Sequence, residues 1–123
     1  MPLFDTDVLI DILRGKAGAK EAVLKYSGME NLISVITYGE ILFGMREHED
    51  EKTLMFLNAF KTVGVEKETA EIALDIKRRS KGHSLELYDC LIAAIAIKRN
   101  IPLITRNKKH YPDKRVRVIT PEY

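Results

Sequence analysis

Cysteine is almost absent from this chain of 123 residues. Cys90 is the only one, so no internal disulfide can form, and that usage fits a reducing, cytoplasmic setting. The histidines, His48, His83 and His110, are scattered, so no Cys/His cluster offers zinc-ligand spacing, and surface or loop roles are expected for them. No apolar run approaches the roughly 18–20 residues that span a bilayer. Met1-Pro2-Leu3-Phe4-Asp5 lacks a basic start followed by a long apolar stretch, so no secretory signal is read there. There is also no large excess of one charge: the formal net charge is +2. Internal repeats, low-complexity tracts and linkers are missing too. One soluble cytoplasmic domain over residues 1–123, with no membrane partner, is the expectation.

What is present is enough apolar residue, 46%, to form a core, with 31% charged residues whose signs are unevenly spread. Residues 1–61 carry 7 Lys+Arg against 10 Asp+Glu, whereas residues 62–123 carry 13 against 8. That asymmetry suits carboxylates set beside a phosphate-attracting surface, although charge differences between ordinary surface helices account for it equally well.

Short apolar runs alternate with helical periodicity along the chain. Leu3-Phe4 reads as a strand ending at Asp5, and Val8, Leu9, Ile12 and Leu13 recur at helical spacing before Gly15. A second helical pattern covers Ala17 to Tyr26, and Leu32 to Ile36 reads as a buried strand. Thr37 is positioned to cap a helix through Met45, and Thr53 to Phe60 is a further helix. Thr62 to Val65 suggests a strand, Glu68 to Ser80 an amphipathic helix, and Leu87 to Ile97 a helix apolar on nearly every face and so buried. Pro102 to Thr105 and Val116 to Ile119 complete the strands. The alternation predicts an α/β fold, with a parallel sheet of about four to five strands packed between helices.

Ligands in such sheets bind beyond the carboxyl ends of the strands. Asp5, Glu40 and Asn107 each follow a predicted strand at that edge. Asp89 falls on the apolar helix, with Leu85, Glu86, Ile92, Ala93 and Ala96 on its face, where a carboxylate is costly unless paired or bound to a metal. Plainer readings exist for each residue. Thr37-Tyr38-Gly39-Glu40 matches a capping box, and Asp5 and Asp7 suit a helix N-cap and first turn. Cys90 reads as a small buried residue.

Four segments taken together resemble a known family. Leu3-Phe4-Asp5-Thr6-Asp7-Val8-Leu9-Ile10, Ile33-Ser34-Val35-Ile36-Thr37-Tyr38-Gly39-Glu40-Ile41-Leu42-Phe43-Gly44, Asp89-Cys90-Leu91-Ile92-Ala93-Ala94 and Leu103-Ile104-Thr105-Arg106-Asn107 stand in the order and spacing of PIN domains. The likeness is greatest to the VapC-type toxins of bacterial and archaeal toxin–antitoxin pairs. It implies a PIN-like three-layer sandwich and a metal-dependent endoribonuclease leaving 5′-phosphate and 3′-hydroxyl ends. By position, Asp5, Glu40 and Asp89 would be the core metal ligands. Asn107 stands where many members have a fourth acidic residue, and His110 where many have Asp before an aromatic residue, here Tyr111.

Thr6 and Thr105 would orient the carboxylates, with Asp7 and Glu86 as secondary candidates. Oxygen-only ligands suit Mg²⁺ or Mn²⁺, which would activate water for in-line attack on phosphorus. Arg106, Lys108 and Lys109 are candidates for holding RNA phosphates, and Lys77, Arg78, Arg79 and Lys81 for extending that track. The resemblance further implies a cognate antitoxin and a homodimer, with helices near the N-terminus as contacts.

Two other readings compete. Asp5-Thr6-Asp7-Val8 also fits the Asp-x-Asp start of haloacid-dehalogenase-type phosphatases, but that class needs a later Lys, an acidic pair and more chain. Asn107 motivates the second, a degenerate PIN-like module that binds RNA or a partner without cleaving.

Overall fold

The computed structural model describes all residues, Met1–Tyr123. Five strands form one sheet: β1 Leu3–Phe4, β2 Leu32–Ser34, β3 Lys61–Val63, β4 Leu103–Ile104 and β5 Val118–Ile119. Their order is β3-β2-β1-β4-β5 and every pairing is parallel. The chain therefore winds outward one way from β1 through β2 to β3, and the other way through β4 to β5. This places the topological switch point beside β1.

Period-two alternation in the strands sends successive side chains to opposite faces. Leu3, Leu32 and Leu103 join one core cluster, while Phe4, Ile33 and Ile104 join the other. On the first face lie α5 (Lys67–Arg79) and α6 (Leu87–Arg99), which contribute Ala73, Ile76 and the continuous buried run Cys90–Ala96. The alanines explain how α6 is covered on all sides: small side chains let both α5 and the sheet approach it closely. On the second face lie α1 (Thr6–Leu13), α3 (Val35–Gly44) and α4 (Asp50–Leu57), contributing Val8, Leu9, Ile41 and Leu57. Phe4 anchors this layer, with its ring edge-to-face on Tyr26 and on Phe60, each at 5.7 Å between centroids. A short α2 (Ala19–Leu24) follows α1. The result is the expected sheet packed between helices.

One boundary differs from the sequence reading with a consequence for the site. The strand expected to run to Ile36 stops at Ser34, and α3 starts at Val35. Ser34 is the N-cap: its Oγ accepts from the Thr37 N–H at 3.0 Å. The capping box at Thr37–Glu40 is thus not formed, and the Glu40 side chain is free for another partner. α6 begins at Leu87, as the sequence reading has it, with Glu86 at its N-cap, so Asp89 lies in the first helical turn and Leu85 and Glu86 precede the helix. The Asp89 side chain is 25% exposed.

Candidate active site

A cavity of about 480 Å³ opens at the carboxyl edge of the sheet. Its wall includes Asp5, Thr6, Asp7, Glu40, Glu86, Asp89, Asn107, Lys109 and His110, with His83, Ser84 and Leu85 from the segment before α6. The three carboxylates singled out in the sequence therefore meet in one cavity, as do Asn107 and the secondary candidates Asp7 and Glu86.

Asp5 is the most constrained of them. The sheet ladder continues past β1 through its N–H, which donates to Ile104 O at 2.9 Å. Its side chain caps α1, with Oδ1 accepting from the Thr6 N–H at 2.8 Å. Oδ2 accepts from Thr105 Oγ1 and from the Tyr111 hydroxyl, each at 2.8 Å. Asp5 both caps α1 and lines the cavity, because the cap lies at the strand end that borders it.

Glu40 is held by a chain of hydroxyls. Thr6 Oγ1 lies 2.9 Å from Glu40 Oε1 and 2.9 Å from Thr37 Oγ1, which lies 3.2 Å from Ser34 Oγ. An ionised carboxylate only accepts, so Thr6 donates to Glu40, Thr37 to Thr6 and Ser34 to Thr37. Thr37 and Ser34 are fully buried. Asp7, in the first turn of α1, accepts from the Val8 N–H at 2.8 Å and the Arg106 N–H at 2.9 Å. Burial and the neighbouring Asp5 charge nevertheless push its carboxyl up to about 6.

Asp89 is also shifted up, chiefly by burial and further by Asp5, Glu86 and Glu40, against the opposing effect of His110. His110 Nδ1 is 3.5 Å from Asp89 Oδ2. His110 and His83, expected to have only surface or loop roles, thus line the cavity. Cys90, next to Asp89, is buried in the core as expected, and burial raises its thiol.

The basic candidates separate. Lys109 lines the cavity, whereas Arg106 and Lys108 do not. The Arg106 guanidinium turns toward α1, with Nη1 3.3 Å from Asp11 Oδ2 and its Cζ 4.6 Å from the centre of the Tyr123 ring. Arg79 pairs with Asp75 at 3.0 Å, one helical turn away.

The donor set is mostly oxygen (carboxylates, an amide and hydroxyls) beside the His83 and His110 imidazoles and no thiolate, which fits a hard divalent cation. Excess negative charge, expressed in the raised Asp7 and Asp89 carboxyls, is what a cation would relieve. The groups stand around the wall, however, and no three of the carboxylates and imidazoles already form a metal-holding cluster. Asp5 is fixed by three donors and Glu40 by one, whereas Asp89 has only His110 beside it, at 3.5 Å.

The residues that sequence reasoning missed are Tyr111, Thr37 and Ser34. Tyr111 adjoins a polar loop 106 positions from Asp5, and no local signal marks the contact. Ser34 carries a signal in hindsight, a cap-forming residue directly after an apolar strand run.

Comparison with known proteins gives a consistent result. A profile of the PIN domain matches residues 3–114. Ribonuclease VapC1 of Methanocaldococcus jannaschii is 37% identical over 114 residues, covering 89% of this chain and 77% of the relative. Ribonuclease VapC19 of Mycobacterium tuberculosis is 34% identical, covering 91% of this chain and 93% of the relative. Among solved structures, a toxin–antitoxin complex from Klebsiella pneumoniae contains a chain 34% identical, with a TM-score of 0.85 and coverage of 99% and 98% of the two chains.

Proposed function

The chain belongs to the PIN domain family, alongside the VapC ribonucleases, and from that premise we propose that it is a metal-dependent endoribonuclease hydrolysing RNA phosphodiester bonds, the toxin of a toxin–antitoxin pair. The observation that carries this reading is the cavity at the carboxyl edge, where Asp5, Asp7, Glu40, Glu86 and Asp89 line one wall system with Lys109 beside them. Neither the phosphatase reading nor the non-cleaving module has a comparable observation. Asn107 lines the cavity, but Asp5, Glu40 and Asp89 are all intact.

Asp5, Glu40 and Asp89 would hold Mg²⁺ or Mn²⁺, with Asn107 a weaker contributor. When bound, the ion supplies Lewis-acid polarisation of the phosphate and of the attacking water. The protein's own residues hold the geometry. Thr105 and Thr6 fix Asp5, and the Ser34–Thr37–Thr6 chain fixes one oxygen of Glu40. Lys109, on the wall, is placed to hold a substrate phosphate against the carboxylates' repulsion.

The cognate antitoxin is a protein partner that closes access to this cavity, and the chain is a homodimer. Leu13, Val35 and Phe43 of α1 and α3 are 41%, 44% and 96% exposed, which supports burial of this region against a second copy. No helix is long and apolar enough to cross a membrane.

The test is cleavage of single-stranded RNA by the purified chain in Mn²⁺. Asp5→Asn should lose at least about 100-fold in rate while remaining folded, and EDTA should abolish cleavage. Asn keeps the cap oxygen toward Thr6, and its amide can donate to the rotatable hydroxyls of Thr105 and Tyr111. Cleavage unchanged in Asp5→Asn would overturn the assignment, as would release of phosphate from a small monoester with RNA left uncut.

A further inference from the structure

Tyr111 is a core residue by burial, 4% exposed, and packs with the cluster built on α5 and α6. It follows the short 3-10 turn Lys108–His110, whose bonds from the His110 N–H to Asn107 O and the Tyr111 N–H to Lys108 O turn the chain inward. Its ring is not part of the cavity wall. Its hydroxyl nevertheless reaches Asp5 Oδ2 at 2.8 Å from beneath the floor. A phenol set against a carboxylate oxygen is the donor of the pair.

The count of lone pairs on Asp5 gives this contact a consequence. Oδ2 receives two donors at 2.8 Å, Thr105 Oγ1 and the Tyr111 hydroxyl. Thr105 gives its proton to this oxygen, since the Asp7 oxygens lie farther off at 3.4 and 3.5 Å and its own Oγ1 accepts the Asn107 N–H at 3.1 Å. Oδ1 receives one donor, the Thr6 N–H. The carboxylate's remaining in-plane lone pair is therefore on Oδ1.

We propose that Tyr111 is a positioning residue that, with Thr105, occupies Asp5 Oδ2 from below and so makes Asp5 a one-oxygen ligand through Oδ1. The role rests on the metal-dependent reading given above. A phenylalanine ring would fill the same core space but leave Oδ2 with one donor and an open lone pair, so that Oδ1 is no longer the carboxylate's one open oxygen. A group that orients a ligand from behind influences affinity for the ion more than it influences the reacting phosphate.

The experiment is Tyr111→Phe in the full chain, with Mn²⁺ binding measured without RNA by electron paramagnetic resonance of the free ion. The dissociation constant should rise about tenfold, the lower end of what loss of such a supporting hydrogen bond does. The Mn²⁺ concentration for half-maximal RNA cleavage should rise by the same factor, while the rate at saturating Mn²⁺ stays within about twofold. A thermal melt confirms that the variant is folded, and Tyr111→Met, which also lacks the hydroxyl, serves if it is not. An unchanged Mn²⁺ affinity in a folded variant, with the wild-type chain binding and cleaving, overturns the role of Tyr111 and leaves the nuclease reading standing. A wild-type chain that neither binds Mn²⁺ nor cuts RNA overturns both.

Discussion

Thr6 Oγ1 donates to Glu40 Oε1 across 2.9 Å, and this one contact joins the first turn of α1 to the second turn of α3 over the carboxyl edge of the sheet. Thr6 is 8% exposed, so its hydroxyl has little access to water, whereas Glu40 is exposed. Thr6→Val keeps the shape but leaves the buried Thr37 hydroxyl without its acceptor and Glu40 without its tether. We expect a loss of about 1–2 kcal/mol in urea unfolding, together with roughly tenfold slower RNA cleavage. Full activity in Thr6→Val would show that Glu40 needs no tether.

Lys109 and Arg106 should respond differently to salt. Lys109 lines the cavity, so Lys109→Ala should weaken RNA binding and flatten the slope of log K against log salt by about 0.7, one phosphate contact on a single strand. Arg106 is engaged by Asp11 and stacked on Tyr123, so Arg106→Ala should leave that slope unchanged. Binding titrations in an inactive Asp5→Asn background separate the two.

Gly18 is held at φ 84 as the N-cap of α2, and a Cβ there would stand 2.7 Å from Tyr123 Cβ. Both the left-handed backbone and the contact penalise a side chain. Gly18→Ala should cost about 1–3 kcal/mol in urea unfolding, with Gly15→Ala, which meets nothing within 4 Å at φ 71, nearer the low end. Equal losses at both positions would remove the Tyr123 contact from the explanation.

Acid stability should depend on Asp113. Arg115 donates to it through Nε, Nη2 and its backbone N–H, at 3.0, 2.8 and 2.9 Å. The Arg115 side chain chiefly, and its N–H in addition, hold the carboxyl below its ordinary 3.8 despite burial. A depressed folded value means that the stabilisation is complete above about 3.8 and is lost as pH falls through the lower folded value. Asp113→Asn should therefore be less stable than wild type by about 1–2 kcal/mol near neutral pH, with the gap closing in strong acid. Urea unfolding at both extremes reads this directly.

Much of this protein was legible before its structure. Leu3-Phe4, Leu32-Ile33 and Leu103-Ile104 are runs apolar at every position, as strands covered on both faces must be, and they dictate a sheet between two helical layers. Asp5 follows such a run, so its place at the carboxyl edge follows from the chain itself. The site's supports were not legible. Ser34 and Thr37 are both adequate local caps for α3; the folded chain uses Ser34, with Ile36 packed on the α5–α6 core, and Glu40 is left to Thr6. For Asp89 the helix start at Leu87 was legible, but only the fold set the residue near Asp5, Glu86 and His110, where burial raises its carboxyl.

Arg106 stands beside Asn107 in sequence yet faces Asp11 and Tyr123, because a loop residue's direction is set by whatever partner the fold brings near. The sequence by itself determined which residues are strands, which are buried and which strand ends carry carboxylates, since these depend on local pattern and hydrophobicity. Tertiary structure alone decided which donors hold each carboxylate. Tyr111 reaches Asp5 from 106 positions away, and no periodicity records a bond whose two ends meet only when the sheet closes.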